Sequence, residues 1–457
     1  MSKKKTSSPN VQPPSVLEQL NLNAAGLDIG AEEIYACVPR DRAEPSIRVF
    51  GTYTVNLHEL AAWLTECGID TVAMESTGIY WIAAYDILAA SGFRVYLVNA
   101  RHLKNVPGRK TDVSDCQWLQ QLHSHGLLRA SFRPPADICA LQALARHRDN
   151  LIRYQAAHIQ HMQKALHLMN LKLSEVVSDI TGVTGQRILR SILAGERDPH
   201  CLARLRDPKC AKSEEEIAQA LTGHYQAEHL FVLKQAVEQY DFYQRQLAEC
   251  DTEIEALYAQ FPPTDPGDHC PPPKAKTAKP RKNQAHFDLS AYLYRLVGVD
   301  LTAIDGLGAM TVHTIISEVG VDLSQWRTSK HFTSWLGLAP CPEKSAGKIL
   351  RTGTKKTQNR ATLAFRMAAQ SVSRSRSAVG AFYRRLRARH GPAEAITATA
   401  HKLARIFYKL LKDREPYVDP GPDYYERTYR DRTIRTLERK AGALGMRVVP
   451  TEAPLVS

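Results

Sequence analysis

The sequence has no Cys-x-x-Cys pair: its nine cysteines, at positions 37, 67, 116, 139, 201, 210, 250, 270 and 341, are scattered and odd in number. That distribution argues against a disulfide framework and a cysteine-ligated zinc site, and it fits a reducing compartment. No apolar run approaches the ~18 residues that read as a membrane span. The first residues, Met1-Ser-Lys-Lys-Lys, pass into Ser and Pro without the apolar stretch of a secretory signal. The expectation is a soluble, cytoplasmic protein with no membrane partner. Acidic residues are also scarce, since 47 Asp and Glu face 60 Lys and Arg for a net charge of +13. An excess of this sign points to a polyanionic partner, nucleic acid first.

The excess is concentrated. Between Lys344 and Arg414 there are 18 Lys and Arg and only Glu394 and Asp413 as acids, so this segment carries +16 and the remaining chain −3. At 457 residues the chain is long enough for about three domains with real cores. Residues 1–23 are polar and proline-containing and read as a disordered tail. Residues 24–135 alternate strand and helix signals. Gly26-Leu-Asp-Ile-Gly, Ile34-Tyr-Ala-Cys-Val and Ile47 to Val55 read as β-runs, followed by Thr71 to Met74 and Arg94 to Val98. Helical patterns span Leu57 to Cys67 and Tyr80 to Ala90, and another begins near Asp112, which makes a mixed sheet of β-β-β-α-β-α-β-α order.

From 136 to 260 long helices take over, with Leu141, Leu144, Leu151, Ile159, Met162, Leu166 and Met169 at helical steps. Leu233, Val237, Tyr240, Gln244, Leu247, Asp251, Ile254 and Tyr258 form a heptad-like seam with two polar breaks. The seam fits an antiparallel hairpin, a coiled coil between subunits, or a helical core within one subunit. Residues 261–287 contain seven prolines and five Lys or Arg and read as an unpacked, flexible, basic linker. Residues 288–415 are mostly helical, with long basic helices expected from about Thr357 to Arg389 and from Ala393 to Lys412. The extension 416–457 has no assignable pattern.

Four acids stand out. Asp28 lies inside the first β-run, Glu75 follows the strand Thr71 to Met74, and Asp112 and Asp115 share one face of a helix. Each has a plain alternative: a strand end, a turn, a helix cap. Together they fall in the order and topology of a ribonuclease H-like fold, and paired Mg²⁺ ions, which prefer oxygen ligands, compensate such carboxylates in phosphodiester chemistry.

Leu27-Asp28-Ile29-Gly30, Met74-Glu75-Ser76-Thr77-Gly78 and Lys110-Thr111-Asp112-Val113-Ser114-Asp115 resemble the DEDD motif of the insertion-sequence one-ten family of transposases, related to the Piv-type DNA invertases. Trp335-Leu-Gly-Leu-Ala-Pro and Ser345-Ala-Gly-Lys348 resemble that family's C-terminal transposase domain. The resemblance covers about 24 to 412 and implies a RuvC-like catalytic domain, a helical coiled-coil oligomerisation region and a C-terminal domain that carries a serine nucleophile. It implies a composite site, with the metal-binding acids of one subunit and the serine of another acting on target and donor DNA in a dimer or tetramer. It also implies a structured guide (bridge) RNA and a bacterial, nucleoid-associated location.

Ser345 lies between Lys344 and Lys348 in a Gly-containing loop, with Arg351, Lys355 and Lys356 beyond. From spacing alone it is a nucleophile or merely a phosphate-contacting or exposed serine; the family resemblance assigns it as the nucleophile. Gly306-Leu-Gly308, flanked by two short helical patterns, resembles a helix-hairpin-helix whose amides approach a DNA backbone. Arg384 and Arg385 open the densest basic run, and Phe382, Tyr383, Phe407 and Tyr408 interleave with the charges, either as stacking surfaces or as core. His102, His123, His125, His147, His158, His161 and His167 lack zinc spacing and read as surface or interface residues. Two other functions fit the same residues: a metal-dependent nuclease of the Holliday-junction-resolving kind, with water as nucleophile, and a non-catalytic nucleic-acid-binding protein.

Overall fold

The computed structural model describes residues 18–76, 78–99, 112–265, 270–273, 282–357 and 359–449. The expected tail up to residue 17, the approach to Asp112 and parts of the proline-rich segment (266–269 and 274–281) lie outside the described residues, as do the side chains of Asp112, Lys344 and Arg351. The chain divides into two compact units, residues 1–133 and 134–457.

Unit 1 is built on strands β1 (Ala24–Ile29), β2 (Glu33–Cys37), β3 (Ile47–Gly51), β4 (Thr71–Glu75) and β5 (Arg94–Val98), with helices α1 (Thr54–Glu66), α2 (Trp81–Ala90) and α3 (Asp112–Ser124). Spatial order is β3-β2-β1-β4-β5, antiparallel on the β1, β2, β3 side and parallel on the β1, β4, β5 side. Short turns suffice for the antiparallel strands, whereas the parallel ones need the helical crossovers α1 and α2. Ala25, Leu27 and Ile29 point to one face, where they join Leu60 and Leu64 of α1 and Leu88 of α2 in one buried cluster. Ala24, Gly26 and Asp28 therefore point to the other face, toward α3. The third β-run is shorter than its sequence suggests: the strand stops at Gly51, α1 begins at Thr54, and Tyr53 and Val55 are exposed. Asn56 Oδ1 sits 2.7 Å from where a Gly51 Cβ would be, so the chain turns there rather than extending the sheet.

Unit 2 starts with an antiparallel hairpin of α4 (Ala136–Leu168) and α9 (Ala227–Gln260). At its tip α5 (Leu173–Val176), α6 (Val183–Leu193), α7 (Pro199–Ala203) and α8 (Glu214–Ala220) share a core with Met162, Leu166, Leu233 and Val237. The seam expected on α9 is buried along its apolar length, within one chain. Its polar breaks are used: Gln244 Nε2 donates to Tyr240 Oη at 3.1 Å, and Asp251 receives the Arg148 guanidinium at 2.5 and 3.2 Å. Arg148 and Asp251 are nearly inaccessible, so each depends on the other for its charge.

The C-terminal part continues as α10 (Leu289–Val297), α11 (Ala309–Val319), α12 (Ser329–Trp335), the hairpin β6 (Glu343–Ser345) and β7 (Lys348–Arg351), α13 (Arg360–Ser371), α14 (Ala378–His390), α15 (Pro392–Asp413) and α16 (Gly421–Ala443). Two expectations are corrected here. The single basic helix from Thr357 to Arg389 is two helices, because Ser375 and Ser377 bind local backbone amides and Ser377 caps α14. The described residues of 261–287 are mostly exposed but tied to the fold at several points rather than free along their length. Thr264 bonds to Arg295 and Leu296, Cys270 is buried, Lys282 bonds to Asp179 and Thr181, and Arg148 binds the carbonyls of Asn283 and Gln284.

The hairpin and the C-terminal helices form one compact unit rather than two domains. Glu318 of α11 accepts a bidentate pair from Arg146 at 3.0 and 2.8 Å and a bond from Gln142, while Arg360 reaches both Glu318 and Asp149. His313 Nδ1 lies 2.8 Å from Tyr258 Oη in the same interface. Among the described residues no helix is long and apolar enough to cross a membrane.

The Arg148–Asp251 pair gives a stability test. Asp251→Ala strands a buried guanidinium and is expected to cost about 3–5 kcal/mol in urea unfolding, whereas Arg148→Met combined with Asp251→Leu recovers most of that loss. Additive losses in the double variant would show that the pair is not coupled.

Candidate active site

The four acids reach one end of the unit 1 sheet by three separate routes. In β1 and β4 the parallel register pairs Leu27 with Met74, so the next positions, Asp28 and Glu75, stand level at the carboxyl ends of adjacent strands. By the same alternation they point to the α3 face. Asp28 and Glu75 are both half-buried.

Helix α3 runs back along β1. Gln120 Nε2 donates to the Ala24 carbonyl at 3.3 Å, Asn21 Nδ2 donates to the His123 carbonyl at 2.7 Å, and Cys116 lies over Gly26. The first turn of α3, which starts at Asp112 and contains the half-buried Asp115, therefore sits over the end of β1 that carries Asp28. A Cβ at Gly26 would stand 2.3 Å from the Cys116 carbonyl oxygen and 2.4 Å from the Gln120 nitrogen. Only glycine admits the helix this close. The helix N-terminus also places partial positive charge beside the carboxylates.

Two features of this face were missed from sequence. Cys37, paired with Gly26 across β1 and β2, lies against Cys116. That thiol contact, then burial, then the charge of Asp28 hold the Cys116 thiol far above its ordinary range. The contact is another sign that Asp28 lies close to the first turn of α3. His123, expected at a surface or interface, is buried instead: Nε2 is 2.9 Å from Thr71 Oγ1 and its ring packs against Tyr96. Burial, then the Arg94 charge, lower its pKa to about 4. Helical spacing on α3 was the available signal, since His123 follows Cys116 and Leu119 at steps of three and four on the buried side.

The donor set at this end of the sheet is all carboxylate oxygen, which suits a hard divalent cation. Among the described residues no three His, Cys, Asp or Glu form a metal cage by themselves. The Asp112 carboxylate lies outside that description.

In unit 2, Ser345 is the last residue of β6 rather than part of an open loop. It pairs with Lys348 across a two-residue turn in which Ala346 and Gly347 have φ of 46° and 80°. Both values are left-handed, as a type I′ turn requires. Gly347 meets nothing within 4 Å, and Ser345, Lys348, Lys355 and Lys356 are exposed. Ser345 has no hydrogen-bond partner among the described residues, so none of them is placed to activate its hydroxyl as a base.

The other expected contacts divide. Gly306, at φ 88°, is needed for packing, since a Cβ would meet Val372 at 2.6 Å and the Ala368 carbonyl at 2.7 Å. Gly308 opens α11 with free space around it. Before it there is a single 3-10 turn, Leu301–Ala303, in place of the first expected helix. Arg384 donates to the carbonyls of Ser373 and Ser375, and Arg385 pairs with Glu426. Tyr383, Phe407 and Tyr408 are core residues, not stacking surfaces, and Phe382 lies beneath Lys402.

Two family models match the chain. One, described as "Transposase" and of the DEDD IS110 type, covers residues 25–170, and the other, described as "Transposase IS116/IS110/IS902 family", covers residues 300–384. They include all four acids and Ser345. No curated protein matches the chain.

His123 makes α3 sensitive to acid. Its folded pKa of about 4 lies below the ordinary 6.5, so between these values the unfolded chain holds the extra proton and stability falls as pH drops through the window. By pH 4 the loss is expected to approach about 3 kcal/mol. Urea unfolding at neutral pH and near pH 4.5 checks it: His123→Gln should lose less than the wild type, and equal losses would remove His123 as the cause.

Proposed function

The chain belongs to the IS110 family of transposases, enzymes of DNA transposition and recombination, and from that premise we propose that it moves an insertion sequence by serine-mediated strand exchange assisted by its acidic site. The observation that carries the reading is the convergence of Asp28, Glu75 and the α3 turn of Asp112 and Asp115 at one end of the sheet. Sheet order β3-β2-β1-β4-β5, with the antiparallel and parallel halves meeting at β1, supports a ribonuclease H-like domain.

Asp28, Glu75, Asp112 and Asp115 would hold Mg²⁺, which when bound neutralises a DNA phosphate and its leaving oxygen. Ser345 Oγ attacks the phosphorus, an Oγ–P bond forms and a P–O bond to deoxyribose breaks. The serine proton passes to a base and the sugar oxygen leaves with a proton. Reversal by another sugar hydroxyl frees the serine, so the bond energy is kept and no ATP is needed. Lys348, Lys355 and Lys356, with Lys344 and Arg351, hold the phosphate electrostatically, and Gly308 offers backbone amides at the start of α11.

The exposed Ser345, with no base beside it among the described residues, supports a composite site in which the acids of one subunit act with the serine of another. A dimer or tetramer follows from that reading. The +16 segment supports binding of DNA and of a structured guide RNA, whose base pairing supplies sequence choice while the protein reads backbone and shape. Action on chromosomal DNA in a bacterial cell makes the location nucleoid-associated.

The test is a denaturing-gel assay for covalent protein–DNA adducts in cells carrying the whole native element. Wild type should give an adduct, and Ser345→Ala and Asp112→Asn should each reduce it by roughly a thousandfold or more. Strand cleavage without adduct, indifferent to Ser345→Ala but abolished by Asp112→Asn, would identify a hydrolytic nuclease instead. If Asp28→Asn changed neither cleavage nor Mg²⁺ binding, the protein would be a non-catalytic binder.

A further inference from the structure

The last helix, α16, is fastened at one end only. Asp419, just before it, accepts the Ala378 N–H at 3.1 and 3.3 Å, Glu426 pairs with Arg385 at 2.6 Å, and the Arg385 guanidinium lies 3.2 Å from the centre of the Tyr429 ring. Past Tyr429 no hydrogen bond or ion pair to another element is found among the described residues, and Arg432 adds its charge to that of the nearby Lys402. Every residue from 430 to 440 is exposed, yet the helix continues to Ala443, a length of about 20 Å. A helical segment this short, with no packed face, draws little stability from propensity alone.

Its charges indicate what it meets. From 430 to 447 the basic residues are Arg430, Arg432, Arg435, Arg439, Lys440 and Arg447 and the acids are Asp431 and Glu438, a net of +4. Arg432, Arg435 and Arg439 follow steps of three and four, so they share one face in a row about 10 Å long. None of the three is in an ion pair among the described residues. Arginine forks match phosphate oxygens with two hydrogen bonds each. A second copy of this chain is net positive at +13, whereas a phosphodiester backbone carries a negative charge at every step.

We propose that α16 beyond Tyr429 is an arm that lies along a nucleic-acid backbone and grips phosphates through Arg432, Arg435 and Arg439. It adds affinity without reading sequence, and it rests on the proposed function, under which the protein works on DNA with a guide RNA.

The experiment uses the full chain carrying Arg432→Gln, Arg435→Gln and Arg439→Gln together. Fluorescence anisotropy follows binding to a short DNA duplex and to an RNA hairpin over a series of salt concentrations. The logarithm of affinity should fall with the logarithm of salt about 2 to 3 units less steeply than in the wild type, one increment for each lost phosphate contact. A shallower slope with only one probe supports the arm and assigns it to that polymer. Ile434→Ala with Leu437→Ala, which alters the exposed apolar side of the same helix, should leave the slope unchanged. All these positions are exposed, so circular dichroism should show the fold retained. An unchanged slope in the arginine variant, with wild-type binding intact, overturns the arm and leaves the proposed function standing. A changed oligomeric mass in the apolar variant, with the arginine slope unchanged, makes the helix a contact between copies and also overturns it. Failure of the wild type to bind either polymer removes the proposed function itself, and the arm with it.

Discussion

The absence of a side chain at Gly26 is the constraint on which the acidic site depends. Carboxylates do not gather by themselves, because like charges at close range repel. They are brought together by a helix lying on a strand, and α3 can lie there only because no Cβ stands between β1 and the backbone of Cys116 and Gln120. Those neighbours are backbone atoms, which cannot swing aside as a side chain does. From that contact follow the packing of Cys116 on Cys37, the burial of His123 against Thr71 and Tyr96, and the position of the Asp112 turn. His123 then holds the far end of the helix, so α3 is fixed at both ends of the strand it covers.

Unit 2 depends on directional polar contacts rather than on apolar area alone. A heptad seam of Leu, Val and Ile can slide by one repeat at modest cost, whereas Arg148 and Asp251 meet in only one register. The pair also recruits backbone: Arg148 binds the carbonyls of Asn283 and Gln284, and Asp251 accepts the His286 amide. Chain returning from the proline-rich segment is thereby tied to the hairpin. Glu318, shared by Arg146, Gln142 and Arg360, joins the hairpin to the helices that carry the basic surface. A buried carboxylate with three partners specifies orientation even where its net contribution to stability is small.

This division explains what could be read in advance. Strands and helices with clean periodicity were legible: β1, β2, β4 and β5, and the helices α4, α9 and α15, all lie close to where alternation or helical spacing put them. The positions of Asp28 and Glu75 were legible because a carboxylate within or at the end of an apolar strand is conspicuous. What stayed hidden depends on pairing across long separations. Arg148 with Asp251, Glu318 with Arg146 and His123 with Thr71 leave no local pattern beyond a polar residue at a buried step. The break between α13 and α14 was hidden by helix-compatible charges, although Ser377 caps α14 and its own amide is held by Ser375. Helix α16 has no apolar stripe facing the core, so periodicity could not find it.

The serine stands in contrast to the acids. Asp28 and Glu75 are held level by strand pairing inside a sheet, while Ser345 ends a two-stranded ribbon whose turn puts Ala346 at positive φ, costing about 1 kcal/mol. A two-stranded ribbon with exposed Ile349 and Leu350 gains little from its own packing. On the proposed chemistry the fixed half of the reaction is the acidic end of the sheet, and the movable half is a hydroxyl that acts only when DNA and a second subunit hold the ribbon in place. On that proposal, strand cleavage is conditional on assembly.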